Sequence, residues 1–583
     1  MIRTLAKELK EFTLPSILTP VCMVGEVVCE MVIPVFMGYI VDRGIYGGDF
    51  SYIVHTGSRM LLVALCGLLF GIGGGVFGAK ASTGLAKNLR RRMNDSIQKF
   101  SFANIDRFSP SSLVTRMTTD VTNVQNAYQM ILRMAVRAPM SMIIAMIMSF
   151  LLSPRIAVIY LTAVAALGVV LFFMLGSANR YFRRVFEKYD DLNESVEENV
   201  TAIRAVKAFV REDYETGRFQ RASSNIYRMF VKAELKLAGN MPVMQGTVYT
   251  VILLISWTGA HMVTGGTLTT GTLMSLLTYC MNILMSLMML SMVFIMISMS
   301  SASARRIAEV IEEVPDIANP EHPVTVIPDG SVRFEHVWFS YGGGAAEPVL
   351  KDIDLDIRSG ESIGIIGATG SSKSSLVNLI SRLYDVTEGA VLVGGTDVRK
   401  YDLTALRDAV SVVLQKNVLF SGTIRDNLRW GSPDATDEEC REACRLACAD
   451  EFIDRMPEGL DTRIDQGGAN VSGGQKQRLC IARALLKHPK VLILDDSTSA
   501  CDTATDARIR RAFREDLPES TKLIISQRIS SVEDCDRILV LSEGQVNGFN
   551  THEALLKTNA IYREIYETQT GAGNDAADFD EKD

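Results

Sequence analysis

Residues 361–380, ESIGIIGATGSSKSSLVNLI, set a short β-branched run ahead of a glycine-containing loop and an apolar-periodic helix. Backbone N–H groups in such a loop, and the helix N-terminus behind it, favour the negative charge of a polyphosphate. The spacing G-x-x-x-x-G-K-[ST] assigns Gly367 to the start of the loop, Lys373 to the β- and γ-phosphates and Ser374 to a magnesium ion. Thr369, Gly370, Ser371 and Ser375 complete the cradle. Ser372 stands where the pattern has its second glycine. If that residue needs a glycine-only backbone geometry, its side chain costs about 1–3 kcal/mol. Residues 491–496, VLILDD, read as a buried strand ending in acids. Asp495 is suited to hold magnesium through water, and Asp496 stands where a water-activating carboxylate belongs. Between these segments, NVSGGQKQRLCIARALL opens a helix with the turn Ser472, Gly473, Gly474, Gln475, a second phosphate-binding N-terminus. Two phosphate sites in one domain make sense if ATP is sandwiched between two such domains.

These motifs sit in the second half of a 583-residue chain. From about residue 330 short β-like runs alternate with helical ones, which predicts an α/β domain. Pro315, Pro320, Pro323 and Pro328 mark a linker before it. The chain is 48% apolar and 22% charged, with a mean hydropathy of +0.16, too apolar for an ordinary soluble enzyme. A net charge of −7 argues against a nucleic-acid partner, since no excess of cations is there to neutralise phosphates. Ten cysteines in this length do not make a disulfide scaffold. Cys440, Cys444 and Cys448 recur every four residues and read as small buried residues on one helix face, with a metal site as the alternative.

The apolar excess lies in residues 14–300. Crossing roughly 30 Å of hydrocarbon takes about 20 apolar residues. Six runs qualify: 15–41, 59–79, 129–152, 155–176, 241–263 and 271–299. The amphipathic basic start, MIRTLAKELKEFTLP, leads straight into the first and shows no cleavable signal. Connections 80–128 and 177–240 are long and rich in Lys and Arg, whereas 42–58, 153–154 and 264–270 are short. That asymmetry places both long connections and both termini in the cytoplasm of a multi-pass membrane protein. The long connections keep helical spacing, so they read as spanning helices continued into the cytosol as hairpins. Glu26 and Glu30 share a face of the first span; the plainer reading is a neutralised or cavity-facing pair, the sharper one cation recognition or proton coupling. Met281, Met285, Met288, Met292, Met296 and Met299 form a stripe on the last span. Core packing is its plainer reading, and a soft lining for apolar substrates the alternative.

The set of phosphate loop, SGGQ turn and VLILDD strand resembles the ATP-binding cassette (ABC) transporter family, and the resemblance covers nearly the whole chain. It implies a half-transporter of the exporter type: a membrane all-α transmembrane domain of six helices (1–305), a linker (306–329), an α/β P-loop nucleotide-binding domain (330–568) and an acidic disordered tail (569–583). By the same resemblance Tyr341 stacks on adenine, and Gln415 senses Mg²⁺ and contacts the transmembrane domain. Residues 499–502 would cross to a partner cassette, and segments near 104–109 and 211–214 would dock on the nucleotide-binding domains. ATP binding would close the cassettes, and hydrolysis would reset them.

Three positions depart from the family pattern: Ser372, Asp496 in place of the general-base Glu, and Gln527 in place of the switch His. One methylene fewer withdraws the carboxylate by about 1.5 Å, and a misplacement of about 1 Å can cost roughly 10²-fold in rate. A Gln amide can donate a hydrogen bond to a γ-phosphate but carries no positive charge. The SGGQ turn, which acts across the dimer, keeps the family pattern. The expectation is a heterodimer, with a homodimer as the alternative. This chain's own ATP site would be hydrolytically weak, while Ser472, Gly473, Gly474 and Gln475 would complete a competent site on the partner. The cargo class is amphipathic compounds, peptides or lipids moved out of the cytoplasm; an importer of the same fold or an ATP-gated channel is the alternative.

Overall fold

The computed structural model describes residues 1–341, 347–368 and 370–579. The chain divides into two compact units, one made of Met1–Gln98 and Pro110–Glu313, the other of Lys99–Ser109 and Val314–Asp583.

The first unit is helical throughout. Its main helices are α1 (Thr13–Tyr39), α2 (Phe50–Ile97), α4 (Val121–Leu152), α5 (Pro154–Thr201), α6 (Glu212–Ala238), α7 (Asn240–Thr264) and α8 (Thr270–Glu312). A short helix of the second unit, α3 (Phe102–Phe108), comes between α2 and α4. Among the described residues, five helical stretches are long and apolar enough to cross a membrane: Lys10–Ile45, Phe50–Ile97, Pro110–Leu152, Pro242–Thr264 and Thr270–Glu312. The fourth apolar run falls on α5, where Pro154–Val170 is the described apolar part. Helices suit this setting because they satisfy every backbone polar group internally. Leu61, Leu65, Leu68 and Ile72 of α2 are exposed, as an apolar solvent permits. Close helix approach uses small residues: a Cβ on Gly74 would lie 2.2 Å from Met23.

Several buried polar groups in this unit find partners on neighbouring helices. The Tyr160 hydroxyl donates to the Leu276 carbonyl at 2.6 Å, and Tyr279 donates to that of Met31 at 2.5 Å. Glu26 and Glu30 are claimed by one cation from α4. Arg137 donates Nη1 to Glu26 Oε1 at 2.5 Å and Nη2 to Glu30 Oε2 at 2.8 Å. The plainer reading of that pair, neutralisation, is the one the structure supports.

Two expectations change. The last spanning helix continues past residue 305 to Glu312, because Ala304, Ile307, Ala308 and Ile311 keep presenting a buried face. Four of the six methionines in its stripe are not core either, while Met288 packs against the core of the unit. Leu276, Tyr279, Cys280, Ile283 and Leu284 take the buried face of α8, leaving Met281, Met285, Met292 and Met299 exposed.

The second unit stacks two sheets and a helical layer. One sheet has the order β2-β1-β4-β5, from β1 (Val332–Phe339), β2 (Leu350–Ile357), β4 (Glu388–Val393) and β5 (Thr396–Asp397). The other has the order β10-β9-β3-β8-β7-β6. Its strands are β3 (Ser362–Ile366), β6 (Val410–Val413), β7 (Val491–Asp495), β8 (Thr521–Ile525), β9 (Arg537–Ser542) and β10 (Gln545–Asn550). All its neighbours run parallel except β9 and β10. Every residue of β7 and β8 is buried, the pattern of strands covered on both faces. Ile493 packs toward the β1–β2–β4 layer with Phe334 and Val391, while Leu492 and Leu494 pack toward the helices with Leu479 and Phe513.

The helices on this sheet are α9 (Lys373–Ile380), α10 (Asp437–Leu446), α11 (Gly473–Leu485), α12 (Thr503–Asp516) and α13 (Ala560–Phe579). Cys440, Cys444 and Cys448 are buried in the core under α10, with no metal-binding group of His, Cys, Asp and Glu among the described residues. The tail expectation is corrected at its start: α13 runs through residue 569 to Phe579.

Removing one partner of a half-buried ion pair strands the other charge in a poor solvent. Arg137→Met is expected to destabilise the membrane unit by about 2–4 kcal/mol. Adding Glu26→Gln and Glu30→Gln should restore most of the loss, as read from thermal unfolding in detergent.

Candidate nucleotide-binding site

Parallel register brings the chemistry to one edge. Ile525 pairs with both Ile365 and Asp495, and Val413 pairs with Leu494. The carboxyl ends of β3, β8, β7 and β6 are therefore level, and each releases its next residues on the same side. The phosphate loop follows β3, Gln527 follows β8, Asp495 and Asp496 close β7, and Gln415 follows β6. Ligands of open α/β sheets bind at this edge.

The loop leaves β3 through Gly367, where a Cβ would stand 2.2 Å from the Leu541 carbonyl oxygen. Thr369 lies outside the described residues. Ser372, the N-cap of α9, has φ +70° and ψ +25°, the left-handed region that costs a residue with a side chain roughly 1–2 kcal/mol. Lys373 Nζ curls back over the loop, donating to the carbonyls of Gly367 and Ala368 at 2.8 and 2.9 Å and to Ser371 Oγ at 3.2 Å. Burial lowers its pKa, against the pull of Asp495 and Asp496.

Asp495 is buried and Asp496 half-buried. Burial raises the pKa of Asp495, and neighbouring Asp496 adds to the rise; a hydrogen bond from Ser374 and the charge of Lys373 oppose it. Burial raises that of Asp496 also, with Arg528 and Lys373 opposing. A hydroxyl bonded to a buried carboxylate beside a phosphate loop is a hard-oxygen donor set, which fits Mg²⁺. Gln415 and Gln527 are exposed at this edge.

On the other side of the loop, Tyr341 Oη is 2.8 Å from Ser375 Oγ, and its ring meets Phe339 and Tyr384 edge-on at 4.8 and 5.1 Å. Tyr384 is a residue the motifs do not mark. Its hydroxyl donates to Asp106 Oδ2 at 2.8 Å, and its ring lies 6.0 Å from that of Phe102. Helix α3, which carries 104–108, is thereby fastened beside the nucleotide edge of its own unit.

The SGGQ turn is a closed local structure. Ser472 Oγ accepts from the Gln475 N–H at 3.3 Å, and Gln475 Oε1 accepts from the Ser472 N–H at 2.9 Å, a reciprocal helix cap. Ser472 and Gly473 face solvent, and no hydrogen bond joins the turn to the phosphate loop among the described residues. A second residue outside the motifs, Gln477, ties the turn to 499–502. Its side chain accepts from the Ala500 N–H at 3.0 Å and donates to Ser499 Oγ at 3.3 Å. Ser499 in turn donates to the Asp496 carbonyl at 2.9 Å. Only its place on the inward face of an amphipathic helix, as the fifth residue of α11, could have marked Gln477 in the sequence.

Residues 16–288 match the family model of the ABC transporter transmembrane region, and residues 350–499 that of the ABC transporter. An uncharacterised ABC transporter ATP-binding protein of Mycobacterium tuberculosis is 36% identical over 93% of both chains. YfiB of Bacillus subtilis, also an uncharacterised ABC transporter ATP-binding protein, is 33% identical over 97% of this chain and 98% of its own. An ATP-dependent lipid A-core flippase of Desulfotalea psychrophila is 31% identical over 83% and 84%. A bacterial Atm1-family ABC exporter solved with ATP bound superimposes with a TM-score of 0.81 at 24% identity, covering 96% of this chain and 98% of that one.

Ser372→Gly should stabilise the nucleotide-binding unit by about 1 kcal/mol, read from its urea midpoint. A carboxyl whose native pKa is raised makes the folded state bind more protons than the unfolded one, so its contribution to stability improves as pH falls. Asp495→Asn is therefore expected to raise Tm in EDTA at pH 7. The gain should shrink as the pH drops toward the ordinary carboxylate range, where the wild-type carboxyl also becomes neutral.

Proposed function

The chain belongs to the ABC transporter family, an exporter-type transmembrane domain fused to a nucleotide-binding domain, and from that premise we propose that it is one half of a heterodimeric exporter whose own ATP site is hydrolytically weak. The observation that carries this reading is the shared position of the three departures. Ser372 in a left-handed conformation, Asp496 and Gln527 all stand at one carboxyl edge, while the solvent-facing SGGQ turn keeps the family pattern.

In this reading Gly367, Thr369, Gly370, Ser371, Ser372, Lys373 and Ser375 cradle the phosphates and Tyr341 stacks on adenine. Ser374 and Asp495, with Gln415, would hold Mg²⁺, which would neutralise part of the phosphates' negative charge. Asp496 is the carboxylate nearest the role of base. Its raised pKa suits proton acceptance, but its shorter side chain withdraws it from the attacking water. Gln527 offers the γ-phosphate a neutral donor. Ser472, Gly473, Gly474 and Gln475 would complete the partner's site, to which Gln477 and Ser499 link this chain's own carboxylate.

Both termini, and the tip near 211–214, lie on the cytoplasmic side of the cell membrane in this reading. The exposed methionines of α8 support an adaptable apolar lining, and the similarity to a protein named as a lipid A-core flippase supports lipids within the amphipathic cargo class.

The test is ATP hydrolysis by the purified chain in lipid, alone and with the half-transporter encoded beside it. Turnover confined to the mixture, lost on removing the partner's general base and little changed by Asp496→Asn, is the expected result. Brisk turnover by the chain alone that disappears in Asp496→Asn would replace this reading with a working homodimer.

A further inference from the structure

The backbone after β8 is held from several sides. The Ser526 N–H reaches the Ile365 carbonyl of β3 at 3.3 Å, and Ser526 Oγ accepts from the Arg528 N–H at 3.0 Å. Arg528 Nη2 donates to the Ser499 carbonyl at 3.3 Å. The remaining pair, the Gln527 carbonyl and the Ile529 N–H, is taken by one side chain. Gln569 Nε2 donates to the Gln527 oxygen at 2.8 Å, and Gln569 Oε1 accepts from the Ile529 N–H at 2.9 Å.

This pairing has a specific chemistry. A carbonyl and the N–H two residues later project to the same side of extended backbone, where a neighbouring strand would meet them. A primary amide carries one donor and one acceptor side by side and can take that strand's place. Neither Glu, Lys nor Ser offers both in that geometry.

The helix that brings Gln569 there is itself anchored. Tyr562, Tyr566 and Gln569 fall at i, i+4 and i+7 on α13, hence on one face. Tyr562 is fully buried, its hydroxyl 2.6 Å from His552 Nδ1, and Tyr566 sets its ring 5.6 Å from the same imidazole. Asn559 fixes the start of the helix, accepting from the Tyr562 N–H at 2.9 Å and donating to Asn547 Oδ1 at 2.8 Å. The face that ends in Gln569 is thus placed by the core, not by chance fraying of a tail.

We infer that Gln569 is a positioning residue: its side-chain amide clamps the Gln527 carbonyl and the Ile529 N–H, and so holds the Gln527 side chain at the nucleotide edge. The inference rests on the nucleotide role proposed for Gln527. It makes the last ordered helix of the chain a strap on the ATP site, so that whatever binds or displaces α13 alters retention of ATP.

The test uses the full-length chain in lipid nanodiscs, with release of radiolabelled Mg-ATP and amide hydrogen exchange at Ile529 as paired readouts. Gln569→Ala should raise exchange at Ile529 and speed ATP release by about tenfold, the equivalent of one lost hydrogen bond. Gln569→Glu separates the two prongs: the carboxylate still accepts from Ile529 and keeps it protected, but repels the Gln527 carbonyl and speeds release. The pair Gln527→Ala/Gln569→Ala should release ATP no faster than Gln527→Ala alone, since one acts through the other. Wild-type release from Gln569→Ala beside fast release from Gln527→Ala would overturn this inference alone. Wild-type release from Gln527→Ala would overturn the nucleotide role of Gln527, and the inference with it.

Discussion

Parallel pairing of β3, β8, β7 and β6 is the constraint on which the nucleotide edge depends. These strands are buried on both faces, so slipping any of them by one residue would turn its whole apolar set to the wrong layer. Once Ile525 is level with Ile365 and Asp495, the points at which the phosphate loop, the paired acids and the segment bearing Gln527 leave the sheet are set. The same burial makes the edge electrostatically expensive. Two adjacent carboxyls are tolerable there because the half-buried ammonium of Lys373 opposes the effect of burial on both, and they oppose its effect on Lys373.

From that edge, polar side chains run outward as a connected set. Asp496 reaches Ser499 through its carbonyl, Ser499 reaches Gln477, and Gln477 stands at the base of the SGGQ turn. In the other direction Ser375 meets Tyr341, Tyr341 meets Tyr384, and Tyr384 holds Asp106 of α3. Beneath it, Gln569 holds the backbone on either side of Arg528. Each hydrogen-bonded link satisfies a donor and an acceptor, which is a structural reason for its presence, and the Tyr341–Tyr384 link is an edge-on ring contact.

The membrane unit obeys a harsher form of the same rule, since lipid offers no hydrogen bonds. Its long helices close their own backbone ladders, tyrosine hydroxyls find carbonyls on neighbouring helices, and Arg137 gathers both carboxylates of α1. Nearer the end of α8, Arg306 donates to the buried Asp120 at 2.7 Å. Apolar side chains are free of such demands, so leucines of α2 and four methionines of α8 are left exposed.

Much of this was legible in the sequence because it depends on local order. The length of the apolar runs, the Lys and Arg bias of the long connections, and the strand–loop–helix pattern around Lys373 need no distant residue to be read. The strain at Ser372 was legible too, since a missing glycine in a fixed pattern announces a left-handed backbone. What was not legible depends on which face a long helix turns inward. The methionine stripe and a buried stripe have the same period, and only packing chose Leu276, Ile283 and Leu284 for the interior of α8. Gln477, Tyr384 and Gln569 are ordinary polar or aromatic residues in the chain, and their partners lie from 22 to 278 positions away. The sequence by itself determined the two-part architecture and marked the loop, turn and acids proposed to bind the nucleotide. Tertiary structure alone decided which side chains tie that edge to the rest, because a hydrogen bond between distant residues exists only once the core has brought them within reach.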